Sequence, residues 1–335
     1  MNQQMKAITS VRWEQLADQV LAGESLTRTE ALSLLAVEDE ELLTLLQAAF
    51  KIRHHYFGKK VKLNMIINAK SGLCPEDCGY CSQSIVSDAP IQKYRFLDKE
   101  TLVAGAHAAW ERKAGTYCIV ASGRGPSRRE VEQVVEAVKE IKSELPLKIC
   151  ACLGILNEEQ AQKLKEAGVD RYNHNLNTSA DHHDKITHTH TYDDRVNTVK
   201  KAKGAGISPC SGCIVGMGES DEQIVDIAES LRDLDADSIP VNFLHAIPGT
   251  PLEGVEELNP RRCLKILALF RFINPTKEIR VSGGREVNLR TLQPLAFYAA
   301  NATFIGDYLT TEGQQAEADH QMIADLGFEI EECAL

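Results

Sequence analysis

Eight β-rich runs recur along this chain with helix-periodic stretches between them, and that alternation constrains the fold more than any other feature of the sequence. The runs are 62–67, 116–121, 148–153, 169–176, 207–215, 238–244, 279–282 and 303–305. Between two of them, Val131, Val134, Val135, Val138 and Ile141 fall at i, i+3, i+4, i+7 and i+10; Ile224, Ile227, Ala228, Leu231 and Leu234 repeat the pattern. Each set is one apolar stripe of an amphipathic helix. Gly168 and Gly206 stand where helix C-caps belong, just before strands. Eight βα units in series predict an α/β fold of the (β/α)8 TIM-type barrel kind. The competing doubly wound sheet usually carries a glycine-rich phosphate turn after its first strand. Neither GxGxxG nor GxxxxGK[ST] occurs here.

Residues 1–60 read instead as helices. Thr27 and Glu30 fit a Thr-x-x-Glu capping box ahead of a Leu-rich stretch. The expected organisation is an N-terminal helical cap over 1–60, the barrel over 61–310, and a C-terminal helix or tail, packed on the barrel, over 311–335. No low-complexity linker divides the barrel.

Lysine and arginine number 37 against 48 aspartates and glutamates, a net charge of −11. Nucleic-acid binders show a basic footprint, so a nucleic-acid partner is not expected. The apolar runs, such as 264–270, fall short of the ~20 residues that span a bilayer. The N-terminus lacks the apolar core of a signal peptide, which predicts a cytoplasmic protein without a membrane partner. In such a setting the ten cysteines, at 74, 78, 81, 118, 150, 152, 210, 213, 263 and 333, point to metal or redox chemistry rather than a disulfide framework.

Three of them form Cys74-Pro-Glu-Asp-Cys78-Gly-Tyr-Cys81, on a glycine- and proline-flanked loop after the first strand. Structural zinc wants four closed ligands, usually from CxxC pairs. The pair Cys210-Ser-Gly-Cys213 lies more than a hundred residues away. An iron–sulfur cluster fits better, because thiolates are its usual ligands. Three thiolates on a four-iron cubane leave one iron open to a small molecule. The loop also follows a barrel strand, on the face where barrel active sites lie. His182, His183, His188 and His190 crowd a stretch, 178–191, that reads as a loop, but no adjacent cysteine or glutamate completes a zinc set.

CxxxCxxC with Tyr80 before its last cysteine resembles the signature of the radical S-adenosylmethionine enzymes. The resemblance runs over roughly 45–315. Cys74-Pro-Glu-Asp-Cys78, Tyr172-Asn-His-Asn-Leu176, Cys210-Ser-Gly-Cys-Ile-Val-Gly-Met-Gly-Glu219, Gly249-Thr-Pro-Leu252 and Ile279-Arg-Val-Ser-Gly-Gly-Arg-Glu286 resemble the biotin synthase family of that superfamily.

That resemblance implies a 4Fe–4S cluster on Cys74, Cys78 and Cys81, with S-adenosylmethionine on the open iron. It implies a 2Fe–2S cluster, the sulfur donor, on Cys118, Cys150, Cys210 and Arg280. An arginine ligand is unusual, since guanidinium is almost always protonated and offers no acceptor; the competing reading of Arg280 is a buried arginine paired with a carboxylate. Tyr80, Asn175, Asn177 and Arg195 align with S-adenosylmethionine contacts, and Gly216-Met-Gly218 with the adenine-packing turn. Asn175 and Asn242 align with contacts to the substrate, dethiobiotin; an amide suits its ureido ring by offering donor and acceptor. Asn177 departs from the family pattern, which has Asp. Cys152 shares a strand face with Cys150 and is a possible substitute for it; Cys213, Cys263 and Cys333 match no ligand position. The implied partners are a reductant protein such as flavodoxin or ferredoxin and the iron–sulfur assembly machinery, with a homodimer as the implied state. The reaction implied is radical insertion of sulfur into dethiobiotin to form biotin, the last step of biotin biosynthesis, by a sulfurtransferase without acid–base residues. The alternatives are another radical S-adenosylmethionine barrel, such as a lipoyl synthase, and a non-catalytic iron–sulfur sensor. A lipoyl synthase needs a second three-cysteine motif, which is absent here, and hydrogenase- or thiamin-associated members do not generally present the Cys118, Cys150, Cys210 and Arg280 set. The substrate asparagines and the complete barrel oppose the sensor.

Overall fold

The computed structural model describes residues 3–332, with side chains from residue 12 onward. Cys333 lies outside them. Three helices come first: α1 (Gln3–Leu21), α2 (Arg28–Leu35) and α3 (Leu42–Phe57). Thr27 caps α2 through the expected capping box, its hydroxyl accepting from the Glu30 amide while the Glu30 carboxylate accepts from the Thr27 amide.

The barrel strands follow: β1 (Lys60–Lys70), β2 (Thr116–Ala121), β3 (Lys148–Cys152), β4 (Arg171–Asn173), β5 (Ser208–Cys210), β6 (Cys213–Val215), β7 (Ser238–Phe243), β8 (Glu278–Val281) and β9 (Ala302–Phe304). All pair in parallel, and β9 pairs with β1, so the sheet closes. β5 and β6 are two halves of one barrel strand, which gives the eight positions the alternation predicts. The register across the break is unslipped, Cys210 facing Ser238 and Cys213 facing Val241. The ladder fails in between because Pro240 has no N–H to give. Gly212 sits in that gap, pressed against the Pro240 carbonyl.

Around the strands lie α4 (Lys99–Glu111), α5 (Arg128–Glu144), α6 (Glu158–Ala167), α7 (Ala180–His183), α8 (Tyr192–Gly204), α9 (Asp221–Asp233), α10 (Pro260–Ile273), α11 (Arg285–Leu289) and α12 (Ala316–Asp325). The Val131/Val134/Val138/Ile141 stripe of α5 is buried, as is the Ile224/Ile227/Ala228/Leu231 stripe of α9. Gly168 ends α6 at φ 103°, the left-handed cap its position predicts. The apolar run 264–270 is buried all round, because α10 is covered by α2 and α3 on one side and touches β8 on the other. Two features differ from the sequence reading. One helical turn, α7, interrupts the expected loop 178–191, and a short strand, β10 (Glu329–Ile330), pairs with the start of β1 after α12. Two-residue pairing leaves no periodicity to read. No helix among the described residues is long and apolar enough to cross a membrane.

Alternate residues of each strand point inward and step up the barrel in layers. Lys62, Thr116, Lys148 and Arg171 surround a cavity at the N-terminal end. One step up are Cys118, Cys150, Asn173, Pro240 and Arg280; another step up are Ile66, Val120, Cys152, Asn175 and Asn242.

A Cβ on Gly212 would lie 1.9 Å from the Pro240 oxygen. Gly212→Ala is therefore expected to cost about 1–3 kcal/mol through overpacking, read as a lower urea midpoint with an unchanged slope.

Candidate active site

The upper two layers and the loops above them enclose a cavity of about 340 Å³ that opens at the C-terminal end of the strands. A second space of about 230 Å³ adjoins it; Tyr80, Cys81 and Asn242 line both. All three cysteines of the loop after β1 line the larger cavity, and so do Cys118, Cys150 and Arg280. Cys210 is fully buried and packs with Cys118, Cys150 and Phe304.

The deeper thiols are in mutual contact. Cys118 and Cys150 face each other across β2 and β3, and with Cys210 they form one buried cluster. That contact and burial push Cys150 and Cys210 well above the usual thiol range. Burial likewise pushes Cys81 up to about 12. Thiols so placed give up protons when a metal takes them. Among the described residues no three His, Cys, Asp or Glu side chains close on a point as ligands of one ion do. A multi-iron cluster spreads its thiols around a larger body.

The loop carrying Cys74 and Cys78 is clasped by its own acids. Asp77 accepts from the Thr187 hydroxyl at 2.6 Å, the Thr189 hydroxyl at 2.9 Å and the His188 amide at 3.0 Å. These bonds hold its carboxyl well below the usual range despite partial burial. Glu76 accepts from the Thr189 hydroxyl at 2.8 Å and from His190 Nδ1. Gly79 donates its amide to Ile186 at 2.9 Å. The loop thus stands on 186–190. Sequence reading missed this role for Glu76 and Asp77, although both lie inside the cysteine motif.

Tyr80, Asn175, Asn177 and Arg195 form one hydrogen-bonded group. Arg195 donates to the Asn175 carbonyl at 2.9 Å. With the amide orientation that satisfies its neighbours, Asn177 Oδ1 accepts from Arg195 at 3.0 and 3.1 Å and from the Tyr80 hydroxyl. Asn177 adopts φ 69°, a left-handed conformation asparagine tolerates better than most residues. Arg195 is 7% exposed, its Nε has no partner, and the acceptors it does meet are neutral oxygens. A buried cation without a carboxylate calls for an anionic ligand.

Asn242 donates to the Cys213 carbonyl at 2.8 Å and accepts from the Gly283 amide at 3.0 Å. One N–H and one lone pair remain for a ligand. Asn173, unassigned by sequence, donates to Cys210 Sγ at 3.3 Å. Cys152 lines the same cavity as Cys150. Cys213 and Cys263 are buried. The four histidines form no ligand set: His183 and His190 pack edge to face at 5.5 Å, His182 Nε2 bonds the Met217 carbonyl at 2.9 Å, and neither ring nitrogen of His183 has a hydrogen-bond partner.

Arg280 is 1% exposed and pairs with Glu278 at 2.7 Å. Its guanidinium also lies over the Phe304 ring at 4.9 Å. Glu278 was not singled out from the sequence.

Residues 70–231 match the model of the Radical SAM superfamily, and 240–329 that of the Biotin and Thiamin Synthesis associated domain. The biotin synthase of Bacillus subtilis (strain 168) is 68% identical over 320 residues, 96% of this chain and 96% of that relative. The biotin synthase of Geobacillus kaustophilus (strain HTA426) is 68% identical over 319 residues, 95% and 96% of the two chains. Among solved structures, methylornithine synthase superposes with a TM-score of 0.82 at 24% identity, covering 94% of this chain and 97% of that one. The FeFe-hydrogenase maturase HydG from Carboxydothermus hydrogenoformans gives 0.80 at 19% identity, covering 98% and 81%. At that identity the likeness is one of fold.

Asp77→Ala strips the acceptor from the His188 and Thr189 amides and is expected to cost about 1–3 kcal/mol. Hydrogen exchange of those amides should accelerate. Burial lowers His174, His183 and His190 below the ordinary imidazole value of 6.5. Below that value the unfolded chain binds more protons than the folded one, so stability falls as pH drops through it. The urea midpoint of the metal-free chain at pH 5.5 should lie below that at pH 7.5, and His174→Gln should flatten the difference.

Proposed function

The chain belongs to the biotin synthase family of radical S-adenosylmethionine enzymes, and we propose that its two groups of cavity-lining cysteines divide the conversion of dethiobiotin to biotin between them. The activity is that of a sulfurtransferase, with a 4Fe–4S cluster and S-adenosylmethionine as cofactors. What carries the reading of the site is that one barrel cavity joins both cysteine groups and the uncompensated Arg195 cation.

Cys74, Cys78 and Cys81 hold the 4Fe–4S cluster in this reading. All three line the cavity, and the Asp77 clasp fixes the loop, its Thr187 also accepting from Cys78 Sγ at 3.9 Å. Cys118, Cys150, Cys210 and Arg280 hold a 2Fe–2S cluster one layer deeper; three touching thiols beside a guanidinium suit an anionic thiolate complex. When bound, the first cluster supplies an electron that opens S-adenosylmethionine, and the second supplies sulfur. The protein's part is to orient and to exclude water. Arg195 pairs with the methionyl carboxylate. Asn177, itself held by the Tyr80 hydroxyl, keeps Arg195 in place, and its amide N–H remains for ribose. Asn175 and Asn242 present amides to the ureido ring. A flavodoxin- or ferredoxin-like reductant, iron–sulfur assembly proteins, a homodimeric state and a cytoplasmic setting complete the proposal on family grounds.

Anaerobic incubation with S-adenosylmethionine, dethiobiotin and a reductant should yield both 5′-deoxyadenosine and biotin. 5′-Deoxyadenosine without biotin would favour a sibling radical enzyme; neither product would favour the sensor. Cys74→Ala should abolish 5′-deoxyadenosine formation and keep the 2Fe–2S absorbance, whereas Cys150→Ala should lose that absorbance and keep the 4Fe–4S iron. Loss of both clusters from either variant would contradict two separate sites.

A further inference from the structure

The floor of this barrel is charged where barrel interiors are ordinarily filled by branched apolar side chains. Glu278 lies at its centre, 3% exposed. Its Oε1 accepts from Arg280 Nη2 at 2.7 Å, from Ser238 Oγ at 2.8 Å and from Arg171 Nη1 at 2.9 Å. Lys62 Nζ stands 3.4 Å from Oε2. Glu278 and Ser238 face each other in the β7–β8 register. Glu278 and Arg280, two residues apart on β8, point the same way, one layer above the other.

The contacts of Arg280 are one-sided. Nη2 is taken twice, by Glu278 and by Ser238 at 2.8 Å, while Nε is buried with no partner. Arg280 lines the upper cavity together with Cys118 and Cys150. A flexible guanidinium beside three thiols needs something to fix which edge it shows them. We propose that Glu278 is the positioning residue of Arg280: it pins Nη2 to the barrel floor so that the rest of the guanidinium is held toward the thiols.

Arg171 and Lys62 make this arrangement tenable. A buried carboxylate with one cation is strongly destabilised by loss of that cation. Glu278 meets three, so it remains anchored to β4 and β1 whatever Arg280 contacts. Arg171 reaches Glu278 from β4, 107 residues away in sequence. The inference rests on the reading of Arg280 as a ligand of the second cluster.

The test uses the full chain, loaded anaerobically with iron and sulfide, and reads the 2Fe–2S visible spectrum and iron content. The 4Fe–4S iron serves as an internal control for folding. Glu278→Ala should lower 2Fe–2S occupancy about tenfold or more, the scale of lost support around metal ligands, and leave the 4Fe–4S iron unchanged. Glu278→Gln keeps an oxygen acceptor and should restore most of it. The double variant Arg171→Met/Glu278→Ala removes one charge of each sign; it tests the proposal even if Glu278→Ala fails to fold, and should be as poor as that single variant. A double variant with native 2Fe–2S occupancy and spectrum, or a Gln variant no better than Ala, overturns the proposal. Arg280→Ala, run in parallel, separates the two ideas: if it leaves the 2Fe–2S signal intact, the ligand reading fails first; if it abolishes the signal while the Glu278 variants keep it, only the positioning role fails.

Discussion

Closure of the sheet by β9 on β1 is the constraint on which the rest of the site depends. Lys62, Leu63 and Asn64 pair with Ala302, Thr303 and Phe304, and no open edge is left in the barrel. Once the sheet is closed, every second side chain must enter one confined space. Residues far apart in the chain then share a layer because their strands share a register. Cys118, Cys150, Cys210 and Arg280 come from four strands and need no loop to bring them together. Their convergence is a property of the barrel, and so is its depth: the thiols sit below the mouth, shielded by the layer of Cys152, Asn175 and Asn242.

The loop cysteines obey different physics. No strand fixes Cys74, Cys78 or Cys81, so the segment needs local acceptors to hold a shape. Asp77 and Glu76 provide them, through hydroxyl, imidazole and amide donors of 187–190. These bonds lie between two loops rather than between loop and barrel. The site therefore has a rigid lower half, set by register, and an upper half set by a polar clasp.

The strands and the loop cysteines were legible because they are encoded locally, whereas the set Cys118, Cys150, Cys210 and Arg280 came only from the family resemblance. Alternation, helical stripes and CxxxCxxC all lie within short windows. Even the inward parity of Cys150 and Cys152 follows from counting by twos along one strand. The partnership of Glu278 with Arg171 was not legible, since nothing local in either segment names the other. A lone Glu at the start of a strand reads as solvated until closure places it inside. The same holds for β10, whose two-residue pairing with β1 carries no pattern. Asn177 was visible as a departure from an acidic pattern, but its conformation and its contact with Arg195 were not.

That departure has a physical consequence. A carboxylate at 177, at the distances the amide keeps from Arg195, would form a buried ion pair and neutralise the guanidinium. The amide accepts the same hydrogen bonds and leaves the positive charge intact. The Asn175 carbonyl does likewise at Nη1. Arg195 is thereby oriented by neutral groups alone, and its charge remains available to a carboxylate entering the cavity.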